Sequence, residues 1–226
     1  MDPRPRSEGW RRFLLTLSDF PELHLVTSDV VLSGDSFLKV AERILDVAGE
    51  RVALHMRARE LSSRELWRIT DRVAEIAART GSWIVVNDRI DVALSIGAHG
   101  VQLGRDSFDL PTARRLLGDD LVIGASIHDA PAGHEAARNG ADFLLAGTLY
   151  ESRSHPGRPG SGGGWLGELR PLGIPVIGIG GVTVERVGEV LEAGAAGVAV
   201  ISAVWDGRDP VYEVERYLSE LGGWDG

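Results

Sequence analysis

The stretch IPVIGIGGVTVERVGEVLEAGAAGVAVISAV, Ile174 to Val204, decides the fold. It opens with an apolar run, PVIGIGG, rich in Val and Ile. It continues through VERVGEVLEAGA, whose apolar residues recur at helical spacing. It closes with a second apolar run, GVAVIS. Buried strand, amphipathic helix and buried strand make a βαβ unit, with parallel strands covered on both faces.

The same unit repeats toward the N-terminus. Candidate strands are LHLVTS from Leu23, RVALHM from Arg51, WIVVND from Trp83, GVQLG from Gly100, LVIGAS from Leu121 and DFLLAG from Asp142. With the two above they make eight. Helical stretches lie between them. DSFLKVAERILDVAGE puts Phe37, Val40, Ile44 and Val47 on one face, with Ser36 as an N-cap. SSRELWRITDRVAEIAART begins with a capping box, Ser62 preceding Glu65 by three positions. DPVYEVERYLSEL is the last. Alternation at a near-constant interval predicts an α/β fold closed as a (β/α)8 TIM barrel. The barrel is expected as a single domain over residues 23–226, with 1–22 as an N-terminal extension. A doubly wound open sheet is the competing arrangement.

Composition narrows the function. The chain has 226 residues, a net charge of −9 and no cysteine. The acidic balance argues against a general nucleic-acid binder, and disulfide or thiolate chemistry is excluded. No segment is long and apolar enough to predict a membrane span. Basic residues precede a short apolar run, Phe13 to Leu17, which superficially resembles a signal peptide. The run is too short and lacks a small-residue cleavage site, so a cytoplasmic location is expected.

In such barrels, active sites gather at the C-terminal ends of the strands. There, His55, Arg57 and Arg59 share parity after the second strand and suit a carboxylate or phosphate. A salt bridge to Glu60 or Asp88 is the structural alternative. Asn87 and Asp88 end the third strand. Asp88 suits Mg2+, an arginine or a helix cap. Ser126 and His128 end the fifth, where a histidine shuttles a proton or merely packs under the next helix. GIGGVT and AVISAV end the seventh and eighth. Glycines and a helix N-terminus there suit a phosphate, against the alternative of tight turns. The loop GTLYESRSHPGRPGSGGG, Gly147 to Gly164, breaks the rhythm. Its Tyr150, Ser152, Ser154, His155 and Arg158 either fold over a ligand or stay solvated.

The motifs VVNDRIDVAL, GAHGVQLG, IGASIH, GADFLLAG, IPVIGIGGVT and AGAAGVAVISAV, in this order, resemble the thiamine phosphate synthase and thiazole tautomerase superfamily. The resemblance spans about Leu23 to Leu218 and implies the barrel fold. Synthases of the superfamily join a pyrimidine diphosphate to a thiazole phosphate, with Mg2+ neutralising the departing diphosphate. Their second-strand motif is glutamine, arginine and lysine. They hold the metal on two aspartates and carry Thr-x-Thr-Lys in the long loop. This chain has His55, Arg57 and Arg59, and Asp88 with Ser107 in place of the second aspartate. Its loop reads Ser152, Arg153, Ser154, His155.

The TenI-type tautomerases are the more similar branch by pattern. Their His-x-Arg-x-Arg matches His55, Arg57 and Arg59. Their VQL with a following Ser-Phe matches Val101 to Leu103 with Ser107 and Phe108. Their strand-five histidine matches His128.

The resemblance therefore implies a thiazole tautomerase without cofactor or metal. His128 and His55 are its catalytic residues. Arg57, Arg59, Asn87, Ser107, Ser126, Ser152 and Ser154 bind substrate, and Gly180, Gly181, Ile201 and Ser202 hold its phosphate. The partner is a small phosphorylated thiazole, with no nucleic acid and no membrane, in a homodimer or larger homo-oligomer. The synthase alternative places Asp88 and Asp106 on Mg2+. A third reading is a non-catalytic sensor of a thiamine intermediate. A sugar-phosphate isomerase is a distant fourth.

Overall fold

The computed structural model describes residues 20–104, 107–152, 157 and 159–222. Eight parallel strands close a barrel in sequence order. They are β1 (Leu23–Val26), β2 (Val52–Met56), β3 (Trp83–Asn87), β4 (Gly100–Leu103), β5 (Val122–Ile127), β6 (Phe143–Ala146), β7 (Val176–Ile179) and β8 (Gly197–Val200). β8 pairs β1 through Leu23↔Val198 and His24↔Ala199, so no edge remains and the open-sheet alternative is excluded.

Strand alternation divides the core in two. On β2, Val52, Leu54 and Met56 face outward into the helix layer. Ala53 faces inward, with Val26, Trp83, Val85, Val122, Phe143 and Ile177. This two-sided burial explains why the strands read as continuous apolar runs. Phe20, ahead of β1, closes the far end of the interior, its ring 5.2 Å from Trp83, 5.1 Å from Phe143 and 5.5 Å from His24.

The helices are α1 (Asp29–Leu32), α2 (Phe37–Ala48), α3 (Ser63–Thr80), α4 (Ile90–Ile96), α5 (Leu110–Leu117), α6 (Ala130–Arg138), α7 (Val187–Glu192), α8 (Ser202–Trp205) and α9 (Pro210–Gly222). The α3 capping box forms in full between Ser62 and Glu65. Two expectations for α2 change. Ser36 occupies the N-cap position but makes no side-chain cap bond, because its own backbone is already helical. Val47 is 49 % exposed, while Ala41, Leu45 and Ala48 complete the buried stripe with Phe37 and Ile44. Strand–helix alternation also fails once. Between β6 and β7 the connection carries a 3-10 helix, Leu166–Leu172, with Pro171 inside it. Proline lacks the N–H that an α-helical ladder needs there.

Candidate active site

The C-terminal strand ends surround a cavity of about 1110 Å3. Its wall includes Arg57 and Arg59 after β2, Asn87 at the end of β3 with Asp88 after it, Ser126 in β5 with His128 after it, and Gly180, Gly181, Ile201 and Ser202 after β7 and β8. Residues far apart in sequence meet there because parallel strands deliver all their C-terminal ends to one rim.

Arg57 and Arg59 make one cationic sector. Burial first, and the neighbouring Arg59 second, hold the half-buried Arg57 guanidinium below its ordinary value. Among the described residues no salt bridge takes up either arginine, so the pairing alternative with Glu60 or Asp88 is not realised. Asp29 instead fixes the loop backbone. Its carboxylate accepts from the N–H groups of Arg59 at 3.0 Å, Glu60 at 2.9 Å and Leu61 at 3.1 Å. Desolvation raises that carboxyl, but these hydrogen bonds outweigh it and hold the group below its usual range. The Asp88 and Asp29 carboxylates act on Arg57 in the opposite sense, and a half-buried guanidinium on a fixed loop suits an anion.

The glycine turn makes a second sector. Gly180 and Gly181 have φ of +99° and +63°. A Cβ on Gly181 would lie 2.4 Å from the Glu151 carbonyl oxygen, and one on Gly180 would lie 2.6 Å from Thr148 Cγ2. The turn therefore packs directly on the loop after β6, and Tyr150 N–H donates to the Gly180 carbonyl at 2.9 Å. Arg186 lies 4.2 Å over the Tyr150 ring and donates to the Gly181 carbonyl at 2.9 Å. Beside the turn, after the neighbouring strand β8, Ile201 and Ser202 open α8, where the first N–H groups have no partner in the helical ladder. Ser152 also lines the cavity, with its Oγ buried and unpartnered.

His128 and Ser126 stand between the sectors. The His128 Nδ1–H donates to the Gly147 carbonyl, so the neutral ring keeps Nε2 as its bare nitrogen. Gln102 Nε2 donates to Ser126 Oγ at 3.0 Å. Asp88, at φ 61°, caps no helix, since Arg89 holds that position before α4. It accepts instead from Gly104 N–H and from the Ser107 hydroxyl, both at Oδ1.

Two sequence expectations need correction. His55 does not stand at the rim. It is fully buried inside the barrel, and its Nε2 lies 2.8 Å from His24 Nδ1. It shares parity with Arg57, but it sits one layer lower, where inward side chains form the packed interior. Ser107 does not line the cavity either; it reaches the site through Asp88 and through the Gly104 N–H, which donates to its Oγ at 3.2 Å. Asp106, Ser154, His155 and Arg158 lie outside the described residues. Sequence reasoning missed Gln102, His24, Asp29 and Arg186. Gln102 and His24 left a signal, each a polar residue flanked by apolar ones in a buried strand.

The residues fit Mg2+ in one form. Such an ion is held by one or two carboxylates together with substrate phosphates. Asp88 supplies one carboxylate, with the Ser107 hydroxyl beside it. No group of three His, Asp or Glu that could hold a metal forms among the described residues, so a cation would depend on a phosphorylated ligand.

Residues 23–204 match the family model described as thiamine monophosphate synthase. The chain belongs to that family. It is 34 % identical over 205 residues to the thiamine-phosphate synthase of Natronomonas pharaonis, covering 89 % of this chain and 95 % of that protein. It is 39 % identical over 194 residues to the thiamine biosynthesis bifunctional protein ThiM/ThiE of Symbiobacterium thermophilum. That match covers 85 % of this chain and 40 % of the bifunctional protein. The solved thiamine phosphate pyrophosphorylase of Pyrococcus furiosus superposes with a TM-score of 0.81 at 29 % identity, covering 93 % of this chain and all of that one. These names favour the coupling alternative over the tautomerase that the residue pattern most resembled. No helix among the described residues is long and apolar enough to cross a membrane.

Proposed function

We propose that this member of the thiamine monophosphate synthase family couples a pyrimidine diphosphate to a thiazole phosphate. The observation that carries the reading is one cavity of about 1110 Å3 lined both by the Arg57–Arg59 pair and by the Gly180–Gly181 turn with Ile201 and Ser202. Pockets for one drug-sized ligand are roughly 300 to 1,000 Å3. Two sectors suit two phosphorylated substrates, and the names of the relatives give the same reaction.

In the coupling, the thiazole nitrogen forms a bond to the pyrimidine methylene carbon as the carbon–oxygen bond to diphosphate breaks. Arg57 and Arg59 bind the diphosphate and take up the charge that develops on it. Gly180, Gly181, Ile201 and Ser202 hold the thiazole phosphate, so that its binding energy positions the ring. Asn87 and Ser126 present polar groups between the two sectors. Asp88, with Ser107, would hold Mg2+, which when bound neutralises the departing diphosphate.

His128 favours a second reading, the thiazole tautomerase. Its Gly147 hydrogen bond leaves Nε2 as the base of the neutral ring, the form that a carbon-to-carbon proton transfer requires. One pair of assays separates the two. The purified protein is given both coupling substrates with Mg2+, and separately the non-aromatic thiazole carboxylate phosphate. Thiamine phosphate formation is expected. Turnover of the tautomer alone, with no coupling, would reverse the order of the two readings.

A further inference from the structure

Behind the cavity floor, His24 and His55 form a hydrogen-bonded chain inside the barrel. Both rings are fully buried. His24 Nε2 lies 3.0 Å from the Pro21 carbonyl oxygen, and His24 Nδ1 lies 2.8 Å from His55 Nε2. A carbonyl oxygen only accepts, so His24 carries its proton on Nε2. Burial pushes His24 down to about 4, against a smaller opposing effect of the Pro21 hydrogen bond. Near neutrality the ring therefore holds one proton, and its Nδ1 is bare. His55 Nε2 must then be the donor. Burial first, and His24 second, hold His55 well below 6.5, so its Nδ1 is bare as well. One backbone carbonyl near the bottom of the barrel thus sets the direction of both bonds.

The chain ends at Asn87. His55 Nδ1 has no hydrogen-bond partner, and neither has the buried Oδ1 of Asn87, the side chain that meets the His55 ring. Two buried acceptors left unpaired carry a desolvation penalty. A half-turn of the amide sets Nδ2–H against His55 Nδ1 and turns Oδ1 to the cavity that Asn87 lines. We propose that the His24–His55 pair is a positioning relay for the Asn87 amide, making Asn87 Oδ1 the acceptor for an N–H donor on the bound ligand. The identity of that ligand, the pyrimidine diphosphate, rests on the coupling reading; the proton order does not.

The proton order is measured without turnover, on native 15N-labelled protein at neutral pH. Nitrogen–nitrogen couplings across hydrogen bonds report each donor and acceptor directly. The expected couplings join His55 Nε2, carrying the proton, to His24 Nδ1, and Asn87 Nδ2 to His55 Nδ1. A proton found on His55 Nδ1 overturns the proposal even if the coupling reaction is confirmed. The functional half uses His24→Phe, which frees His55 to take the other tautomer. KM for the pyrimidine diphosphate is expected to rise about fivefold, the worth of one neutral hydrogen bond, with kcat nearly unchanged. A folded His24→Phe protein with unchanged KM overturns the positioning role. If that variant does not fold, the couplings in the native protein still decide.

Discussion

The Ser107 hydroxyl donates to Oδ1 of Asp88, the same oxygen that receives the Gly104 N–H at 2.9 Å. A serine stands where the synthase pattern carries a second aspartate, and it pairs with the first. The bond joins the loop after β4 to the end of β3, and among the described residues Asp88 is the carboxylate there. Ser107→Asp sets two carboxylates side by side, which raises the local demand for a cation. The variant is expected to bind Mg2+ at least tenfold more tightly in the presence of diphosphate. Calorimetric titration of the two proteins measures this, and equal affinities would remove Asp88 from the metal site.

Arg57 is expected to bind the diphosphate. Charge-assisted hydrogen bonds contribute about 1.5 to 3 kcal/mol. Arg57→Met keeps the apolar stem and deletes the fork. Affinity for inorganic diphosphate should fall roughly 10- to 100-fold on that basis. Thermal stability should change little, since the desolvation of the guanidinium and its attraction to Asp88 and Asp29 are removed together. A binding isotherm with unchanged affinity would count against the β2 sector.

Gly181→Ala tests the glycine turn. The backbone there has φ +63°, and the new Cβ would meet the Glu151 carbonyl at 2.4 Å. Left-handed strain and overpacking each cost about 1 to 3 kcal/mol. The turn should shift and KM for the thiazole phosphate should rise, by about tenfold if roughly 1.4 kcal/mol of binding is lost. Calorimetric melting and steady-state kinetics on the same sample report both effects.

His128→Gln separates the two chemistries. Glutamine can keep a hydrogen bond to the Gly147 carbonyl but cannot act as a base. Coupling should stay within about fivefold of the parent, a loss of order 1 kcal/mol. Any tautomerase activity should fall by about 100-fold or more, the usual contribution of a general base. Parallel loss of both activities would mean that His128 serves the shared cavity rather than proton transfer.

Acid should unfold the barrel from within. Burial lowers His24 from 6.5 to about 4. Between these values the unfolded chain binds the proton and the folded one does not, so stability rises with pH across this window. Stability should be flat with respect to this group above about 6.5 and fall on acidification toward 4. The loss reaches roughly 3 kcal/mol at about 1.4 kcal/mol per pH unit. His99, stacked 5.4 Å from Trp83 and also lowered by burial to about 4, adds in the same direction. Urea unfolding midpoints followed from pH 7 to pH 4 test this, and His24→Phe should flatten the slope.

Much of this protein was legible in one dimension. Apolar runs with helical stretches between them predicted eight strands in the order in which they pair. The strand-end rule brought Arg57, Asn87, Ser126, His128, Gly180 and Ser202 to one cavity before any contact was known. These signals are local, because burial on two faces and strand polarity leave their mark on neighbouring residues.

What the sequence could not determine was depth along the barrel axis. His55 and Arg57 share parity on one chain segment, so a one-dimensional reading treats them alike. Yet Arg57 reaches the rim, while His55 packs inside the barrel against His24, 31 residues away. The height of a residue in a closed barrel depends on strand tilt and register, which all eight strands fix together. For the same reason the Ser107–Asp88 bond, the Asp29 clasp on the Arg59 loop and the Gln102 bond to Ser126 exist only in the folded molecule. The sequence by itself determined the fold and most of the strand-end residues that line the cavity; tertiary register decided which of those side chains reach the cavity and which hold the others in place.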